Sequence, residues 1–537
     1  MAAAPPPTPP SPRPAPAPAP SAIRLSPLEG FMPRAYVRQI ICFPTTASST
    51  TNAAQATDTL SRGLAALARD VPYVLSRVVD NPPGTAPNVA VSAPCLRIED
   101  VFTTHDLPRD SPTYAALEAA HFPPAAFLTP GIIPPAALPP HAPSPPVLLA
   151  RASRCAGGDG GGILLCVALH HAVADITGLG ALLALWAAHC RGGEPAPFDA
   201  RRVDRGPLFA AAAHSHPDLD PVLTPLPRLL HLATPEELAR PAGRSQAGRA
   251  GAALSHDDDS AYQTAVFYFA RARLRALKEA ANAHVAAREA AAAWVSTGDV
   301  LSALLWSAIL GAGEHEDEGE DEGDGDGDGT RVSTLSFPVQ FRAILRPPLP
   351  RGFLGAAFMM TATRAPHRGV CRIVRSPAVV ETAAAAADPI DAVGLGAVDI
   401  PALADAALAI RRAAAAVDDA AVRQVLAHLE ARPDGAGAGA PPLVLGLPRY
   451  VAGGGSSVSV VSWADQGVYE LDWGAAVGRC GAVRLAKMGY ERDPIILPRL
   501  PGEDGGLEVI MSYERGTMKK LIEGPIMRRF AVLRCLS

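Results

Sequence analysis

Residues 163–192 read ILLCVALHHAVADITGLGALLALWAAHCRG. The stretch opens with seven apolar residues, Ile163 to Leu169, behind a glycine-rich hinge at Gly157 to Gly162. A short, continuous apolar run bounded by turn residues predicts a strand covered on both faces. Ile176 to Cys190 follows as an apolar helix that stops at Arg191-Gly-Gly193. Between the two stand adjacent histidines, His170 and His171, and then Asp175. Successive side chains leave a strand on opposite faces, so only one of the histidines can face a given cleft. Asp175 sits just ahead of the helix, where a carboxylate caps free N–H groups and is favoured by the helix dipole.

Three readings of His171 and Asp175 stand at this point. They are satisfied core residues with a capping Asp, metal ligands four positions apart, or a chance His-x-x-x-Asp spacing. A proton-transfer role also fits the residue type, because imidazole changes charge near neutral pH.

Moving outward, the chain has 537 residues, enough for two or three domains. Its 47 glycines and 55 prolines make up roughly a fifth of the residues, against about 12 % on average. Hydrophobic residues still reach 48 %, which excludes a wholly disordered chain and sends the extra Gly and Pro to tails and loops. The formal net charge is −5, yet the segment from Glu314 to Asp328 alone holds ten acidic residues, leaving the remainder slightly positive. That balance carries no nucleic-acid signature. Eight scattered cysteines without a Cys-x-x-Cys read as reduced, mostly buried thiols and not as a disulfide framework or zinc site. The opening MAAAPPPTPPSPRPAPAPAPSA lacks the apolar core of a signal peptide, and no uncharged apolar run is long enough to span a membrane, so the expected compartment is the cytoplasm.

Residues 1–22 are expected to be a disordered Pro/Ala tail, 23–200 one domain, 201–260 a crossover loop and 261–537 a second domain. Strands are expected at Arg34–Phe43, Thr264–Phe269 and Ser333–Phe341, and helices over Thr59–Leu75, Arg271–Ala283 and Ser296–Trp306. Alanine-rich helices fill roughly 377–432, and strand alternates with turn over 456–513. Interleaved strands and helices give an α/β (mixed α+β) class. The run Asp324-Gly-Asp-Gly-Asp328-Gly329 mimics the start of an EF-hand loop, but its twelfth position is Leu335 and not the required Glu. We read 313–329 as a disordered acidic insertion with no calcium site.

The run from Leu164 to Gly192 resembles the His-x-x-x-Asp signature of the BAHD acyltransferases, and within them the fungal branch of trichothecene 3-O-acetyltransferase-like proteins. Further pieces fall in that family's order: Leu25-Ser-Pro-Leu28, Ser296 to Trp306, Phe341-Arg-Ala-Ile-Leu-Arg-Pro-Pro-Leu-Pro350 leading to Phe353-Leu-Gly355, Val461-Ser-Trp463 with Tyr469, Asp472-Trp-Gly474, and Leu507 to Met511. The resemblance implies two chloramphenicol-acetyltransferase-like domains, each a mixed sheet flanked by helices, with an active-site channel at their interface. It implies a soluble, cytoplasmic monomer that moves an acyl group from acyl-CoA, a co-substrate and not a resident cofactor, to a small-molecule alcohol or amine of secondary metabolism. No metal, nucleic acid or membrane is implied, and no residue is assigned to binding CoA.

The resemblance also carries roles. His171 would be the general base and Asp175 an orienting residue paired with an arginine, for which Arg342 is the candidate. The Trp463 indole would donate to an oxyanion. Asp472, Trp473 and Gly474 would form a structural turn, with core packing the plainer reading for Trp473. The second motif, Asp472-Trp-Gly-Ala-Ala476, lacks the plant form's second Trp-Gly, and the sequence departs from the family pattern at three single residues: Ile176 stands where Gly usually follows the Asp, Gln340 replaces an Asp two before the arginine, and Ala356 replaces an Asn. Two other readings remain: a catalytically inactive binding protein on the same fold, motivated by these departures, and a standalone relative of peptide-synthetase condensation domains, which also carry a His-His-x-x-x-Asp motif.

Overall fold

A computed structural model describes residues 23–45, 53–81, 89–138, 142–155, 161–192, 196–215, 230–232, 261–289, 293–313, 331–373, 396, 398–431, 443–445, 457–487, 492–502 and 505–537. The Pro/Ala tail, most of the 157–162 hinge, most of the 201–260 crossover, the acidic run 314–329 and residues 377–395 of the alanine-rich stretch lie outside the described residues.

The architecture is mixed α/β, with several sheets flanked by helices. The first five-stranded sheet uses β1 (Tyr36–Pro44), β2 (Phe102–Asp106), β3 (Leu148–Arg154) and β4 (Gly162–His170). Two helices, α1 (Ala53–Asp70) and α2 (Ile176–Arg191), pack against each other beside it. The second half of α1 shows its apolar face: Leu60, Leu64, Leu67 and Ala68 are all buried at helical spacing, and Pro72 then opens a single 3₁₀ turn beyond the helix end.

β4 is buried at all nine positions. Ile163, Leu165, Val167 and Leu169 enter the core beneath the helices, while Leu164, Cys166 and Ala168 enter a second core on the other face with Tyr36, Tyr114, Phe122 and Phe127. The period-2 alternation of a strand thus places apolar groups into two cores at once, which is why the sequence shows a continuous apolar run.

The region expected to lack regular structure contains α3 (Gly206–Ser215). Its Gly-Pro-Leu-Phe-Ala-Ala-Ala-Ala start has proline at an early helical position and then the best helix-forming residue, a combination that outweighs the Pro- and Asp-rich flanks.

A second five-stranded sheet contains β5 (Tyr262–Phe269), joined later by strands from the C-terminal part. The helices α4 (Arg271–Arg288), α5 (Thr297–Gly313) and α6 (Ile400–Ala415) surround its core and that of a three-stranded sheet built on β6 (Val332–Gln340), β7 (Phe358–Pro366) and β8 (Ser457–Ser459), while α7 (Asp419–Ala431) packs against α3 in a separate core with Leu208, Ala211 and Phe341. The second large sheet runs β9 (Val461–Ser462), β11 (Arg492–Ile496), β12 (Leu507–Glu514), β5 and β13 (Ala531–Leu536). Between β9 and β11, β10 (Ala482–Arg484) leaves for the other sheet and pairs antiparallel with β1, Ala482 opposite Cys42. The first sheet therefore reads β10-β1-β4-β3-β2, its edge strand β10 borrowed from the C-terminal part of the chain.

All eight cysteines are free thiols, and five of them, Cys42, Cys155, Cys166, Cys190 and Cys480, are buried. Burial pushes Cys166, Cys190 and Cys480 up from 9.0 to about 12. A raised thiol keeps its stabilising neutral form below the unfolded value near 9, and that contribution fades as pH climbs from 9 toward 12. The thiolate is the reactive form. Iodoacetamide at pH 8 is accordingly expected to modify exposed Cys95 and to spare Cys166, Cys190 and Cys480 until denaturant is added. Mass spectrometry showing early labelling of these three would contradict the packing described.

Candidate active site

β4 ends at His170, and the two histidines part company there. His170 is buried with its ring edge-on to Tyr36, centroids 5.4 Å apart. His171 is only partly buried, and its ring lies 6.4 Å from that of Phe358 at the start of β7. Its backbone N–H donates to Ala35 at 2.8 Å, which ties the turn to the strand entering β1. The Val173 N–H donates to His170 at 2.9 Å, closing the turn that leads to Asp175.

Asp175 is the N-cap of α2 and is 3 % exposed. Its Oδ1 accepts from the Gly178 N–H at 2.8 Å. Arg342 reaches the same carboxylate with both terminal nitrogens, each at 2.8 Å, and the Ala357 N–H donates to Oδ2 at 2.8 Å. The carboxylate thus makes four charge-assisted bonds, two of them a bidentate fork. Arg342 also donates to the Gly355 carbonyl, so the ion pair joins the His171–Asp175 turn to the strip Phe353–Ala357.

The residues that depart from the family pattern sit around this pair. Ile176 is the first residue of α2 and packs toward both the helix core and the Trp463 cluster. The tight spot falls two residues later: a Cβ on Gly178 would lie 2.8 Å from the Leu354 carbonyl. Gln340 donates to Thr177 and accepts from Arg342. The Ala356 N–H donates to Glu29 at 3.1 Å.

Trp463 is 6 % exposed, among Val266, Leu485, Ile495, Leu497 and Ile510, with Ile176 at its edge. Its turn is held by a reciprocal amide pair: Gln39 and Gln466 donate to each other at 2.7 and 3.2 Å, and Gln466 reaches the Ile176 carbonyl at 3.4 Å.

The Asp472-Trp473-Gly474 element lies elsewhere, at the C-terminal end of α2. Trp473 is fully buried, edge-on to Trp186 and Phe43 at 5.5 and 5.6 Å. Asp472 Oδ1 accepts from the Gly474 N–H at 3.0 Å. Gly474 has φ +85°, and a Cβ there would lie 2.9 Å from both the Arg191 Cα and the Cys190 carbonyl. Both the left-handed backbone and the close approach require glycine. Gly474→Ala is expected to cost at least about 1–2 kcal/mol for the backbone alone, read as a lowered unfolding midpoint; an unchanged midpoint would remove this turn from the contacts that seat the C-terminal segment on α2.

Two further groups escaped the sequence reading. Glu29, fully buried, faces Arg205, 2 % exposed, with Arg205 Nη2 3.2 Å from Glu29 Oε1. Burial alone would depress the Arg205 guanidinium; the facing Glu29 carboxylate, with Tyr73, outweighs it and holds the group above its ordinary value. Ser26-Pro-Leu-Glu29 has the Ser-x-x-Glu spacing of a capping box, the one local signal that pointed to this glutamate. Arg484 on β10 pairs with Glu508 on β12 at 2.7 and 3.1 Å, linking the borrowed strand to the second large sheet. Among the described residues no group of three or more His, Cys, Asp or Glu could hold a metal ion, and no helix is long and apolar enough to cross a membrane.

Residues 35–190 match the trichothecene 3-O-acetyltransferase-like N-terminal domain, and residues 131–371 match the transferase family. By these matches the chain is similar to the BAHD-type acyltransferases. This acyltransferase is 26 % identical over 388 residues to O-acetyltransferase ptmV of Penicillium ochrochloron, covering 69 % of this chain and 70 % of that one. It is 25 % identical over 398 residues to O-acetyltransferase anaAT of Neosartorya fischeri, covering 69 % and 70 %. Its fold is similar to that of F. sporotrichioides TRI101, solved with coenzyme A and T-2, at a TM-score of 0.63 and 19 % identity over 96 % of this chain and 99 % of that one. Vinorine synthase gives 0.53 at 15 % identity over 96 % and 94 %. In this acyltransferase the buried Asp175–Arg342 pair anchors the turn that carries the partly exposed His171.

Proposed function

We propose that this acyltransferase moves an acyl group, acetyl in the first instance, from acyl-CoA to a hydroxyl of a small secondary metabolite, with His171 as the general base. The observation that carries the reading is the placement of His171: partly exposed at the end of a fully buried strand, in a turn fixed by Asp175, Arg342 and the Ala35 carbonyl. The O-acetyltransferase names of the fungal relatives and the coenzyme A bound in the related structures support the donor and the oxygen acceptor.

In this mechanism the acceptor oxygen attacks the thioester carbonyl while His171 takes its proton. A C–O bond forms, and the carbonyl π electrons move to oxygen. The tetrahedral intermediate collapses, the C–S bond breaks, and the leaving thiolate recovers the proton from the imidazolium. A thioester is already activated, so positioning and proton transfer can carry the reaction without an enzyme nucleophile. The oxyanion needs a donor, and the Trp463 indole is our candidate. An amine acceptor would follow the same steps. The reading takes the protein as a cytoplasmic monomer of two domains, 23–200 and 261–537, joined by 201–260, with the channel between them and the 1–22 tail and 313–329 insertion outside the chemistry. Asp175, Arg342 and the Asp472–Gly474 turn are structural in it.

The test is thiol release from acetyl-CoA, malonyl-CoA and longer acyl-CoAs with a mixed pool of alcohol and amine acceptors. Release that depends on acceptor is the expected result. Binding of acyl-CoA with no release in any pool would favour the inactive binding protein.

A further inference from the structure

The turn that carries His171 is held twice, and only one of the two clamps is the Asp175–Arg342 pair. The second is Glu29 and Arg205. Glu29 Oε1 accepts from the Ala356 N–H at 3.1 Å and from Arg205 Nη2 at 3.2 Å, while Oε2 accepts from the Ser26 N–H at 2.7 Å and from Arg205 Nε at 3.5 Å. Arg205 Nη2 also donates to the Val173 carbonyl at 3.1 Å, two residues beyond His171.

The geometry of the two clamps is matched. Asp175 takes the Ala357 N–H, and Glu29 takes the neighbouring Ala356 N–H. Arg342 gives to the Gly355 carbonyl, and Arg205 gives to the Val173 carbonyl. Each carboxylate–guanidinium pair therefore touches the strip 353–357 on one side and the turn 173–175 on the other. The guanidiniums flank one ring, that of Phe353, at 5.7 Å for Arg342 and 5.4 Å for Arg205. Gly355 leaves room for this arrangement, since a Cβ there would lie 2.7 Å from Glu29 Oε1.

A buried ion pair is a poor device for stability alone, because apolar residues of similar size often serve as well or better. It does fix geometry, through several directional bonds to backbone. With one clamp the turn could pivot about Asp175; with two, Val173 and Asp175 are both pinned, and His171 has a single exit direction from β4. A misplacement of about 1 Å can cost on the order of 100-fold in rate.

We infer that Glu29 and Arg205 are positioning residues for His171: a second buried clamp that sets the angle of the base toward the acceptor. The inference rests on the proposed role of His171. The variant that isolates it is Glu29→Gln with Arg205→Met. It removes both charges together, keeps one amide oxygen for either the Ala356 or the Ser26 N–H, and frees the Val173 carbonyl. Glu29→Gln alone is the second variant, isosteric and closest to the native packing.

Both are compared with wild type and His171→Ala for melting temperature, kcat, KM for acyl-CoA, and deuterium uptake by peptides over 170–178 and 353–358. The expected result is a melting temperature within a few degrees of wild type, kcat lowered at least 10-fold with KM within twofold, and faster uptake confined to those peptides. Wild-type uptake there, or wild-type kcat, overturns the proposal. So does a joint fall of kcat and melting temperature with uptake raised across the whole first sheet, which is what a merely structural pair would give. If wild type and His171→Ala release thiol equally, the reading of His171 as base is what has failed, and the uptake of the two peptides then decides by itself whether the second clamp holds the turn.

Discussion

His171→Ala is expected to lower acceptor-dependent release of coenzyme A thiol by roughly 10²–10⁴-fold, the usual worth of a general base. The loss should appear in kcat. Binding of acyl-CoA should hardly change, because the proton transfer is needed only as the acceptor attacks. The substitution should also be mild for the fold: His171 is partly exposed, and the bond that anchors it to Ala35 comes from its backbone. Melting should therefore stay close to wild type. A variant that folds, binds acyl-CoA and turns over at the native rate would remove His171 from the chemistry. His170→Ala makes the informative contrast, since that ring is buried against Tyr36 and its loss should register in stability.

Asp175→Ala should show the opposite balance. The carboxylate is 3 % exposed and accepts from Gly178, Ala357 and both terminal nitrogens of Arg342. Its removal leaves a largely buried guanidinium without its anion and two backbone N–H groups without an acceptor. Breaking a buried pair from one side costs about 3–5 kcal/mol. We expect a clear drop in the urea midpoint, with turnover falling as a consequence of a loosened turn. Asp175→Asn keeps the shape and one oxygen, so it should recover part of the stability. If Asp175→Ala melts as wild type does but has lost turnover, Asp175 acts in the chemistry itself and the structural assignment is wrong.

The contrast between these residues explains what the sequence could reveal. β4 and α2 were legible because every position obeys one rule: a strand between two cores must be apolar throughout, and a helix wedged beneath them nearly so. Asp175 was legible as a cap because its partner, the Gly178 N–H, is three residues away. The Arg342 partner came only from the family resemblance, and no spacing could have supplied it across 167 residues. Glu29 and Arg205 lie 176 apart, and their shared role exists only once the chain has folded. The helix at Gly206–Ser215 was hidden by its neighbours: the Pro- and Asp-rich surroundings outweighed four alanines in the reading but not in the chain. The three residues of β10 are too few to announce a partner strand, let alone one in the other sheet.

That borrowed strand has a consequence for how the protein is made. β1 cannot find its neighbour Ala482–Arg484 until the ribosome has added some 440 residues beyond it. At about 5–20 residues per second, the delay between completing a segment that ends near residue 200 and releasing its last strand is roughly 15–60 s. Throughout that interval the nascent chain carries an open sheet edge, and the socket between Trp186 and Phe43 waits for Trp473. An open edge is a template for pairing with another chain. The early half is thus committed to a late keystone, and its safe biogenesis depends on whatever shields it while translation finishes.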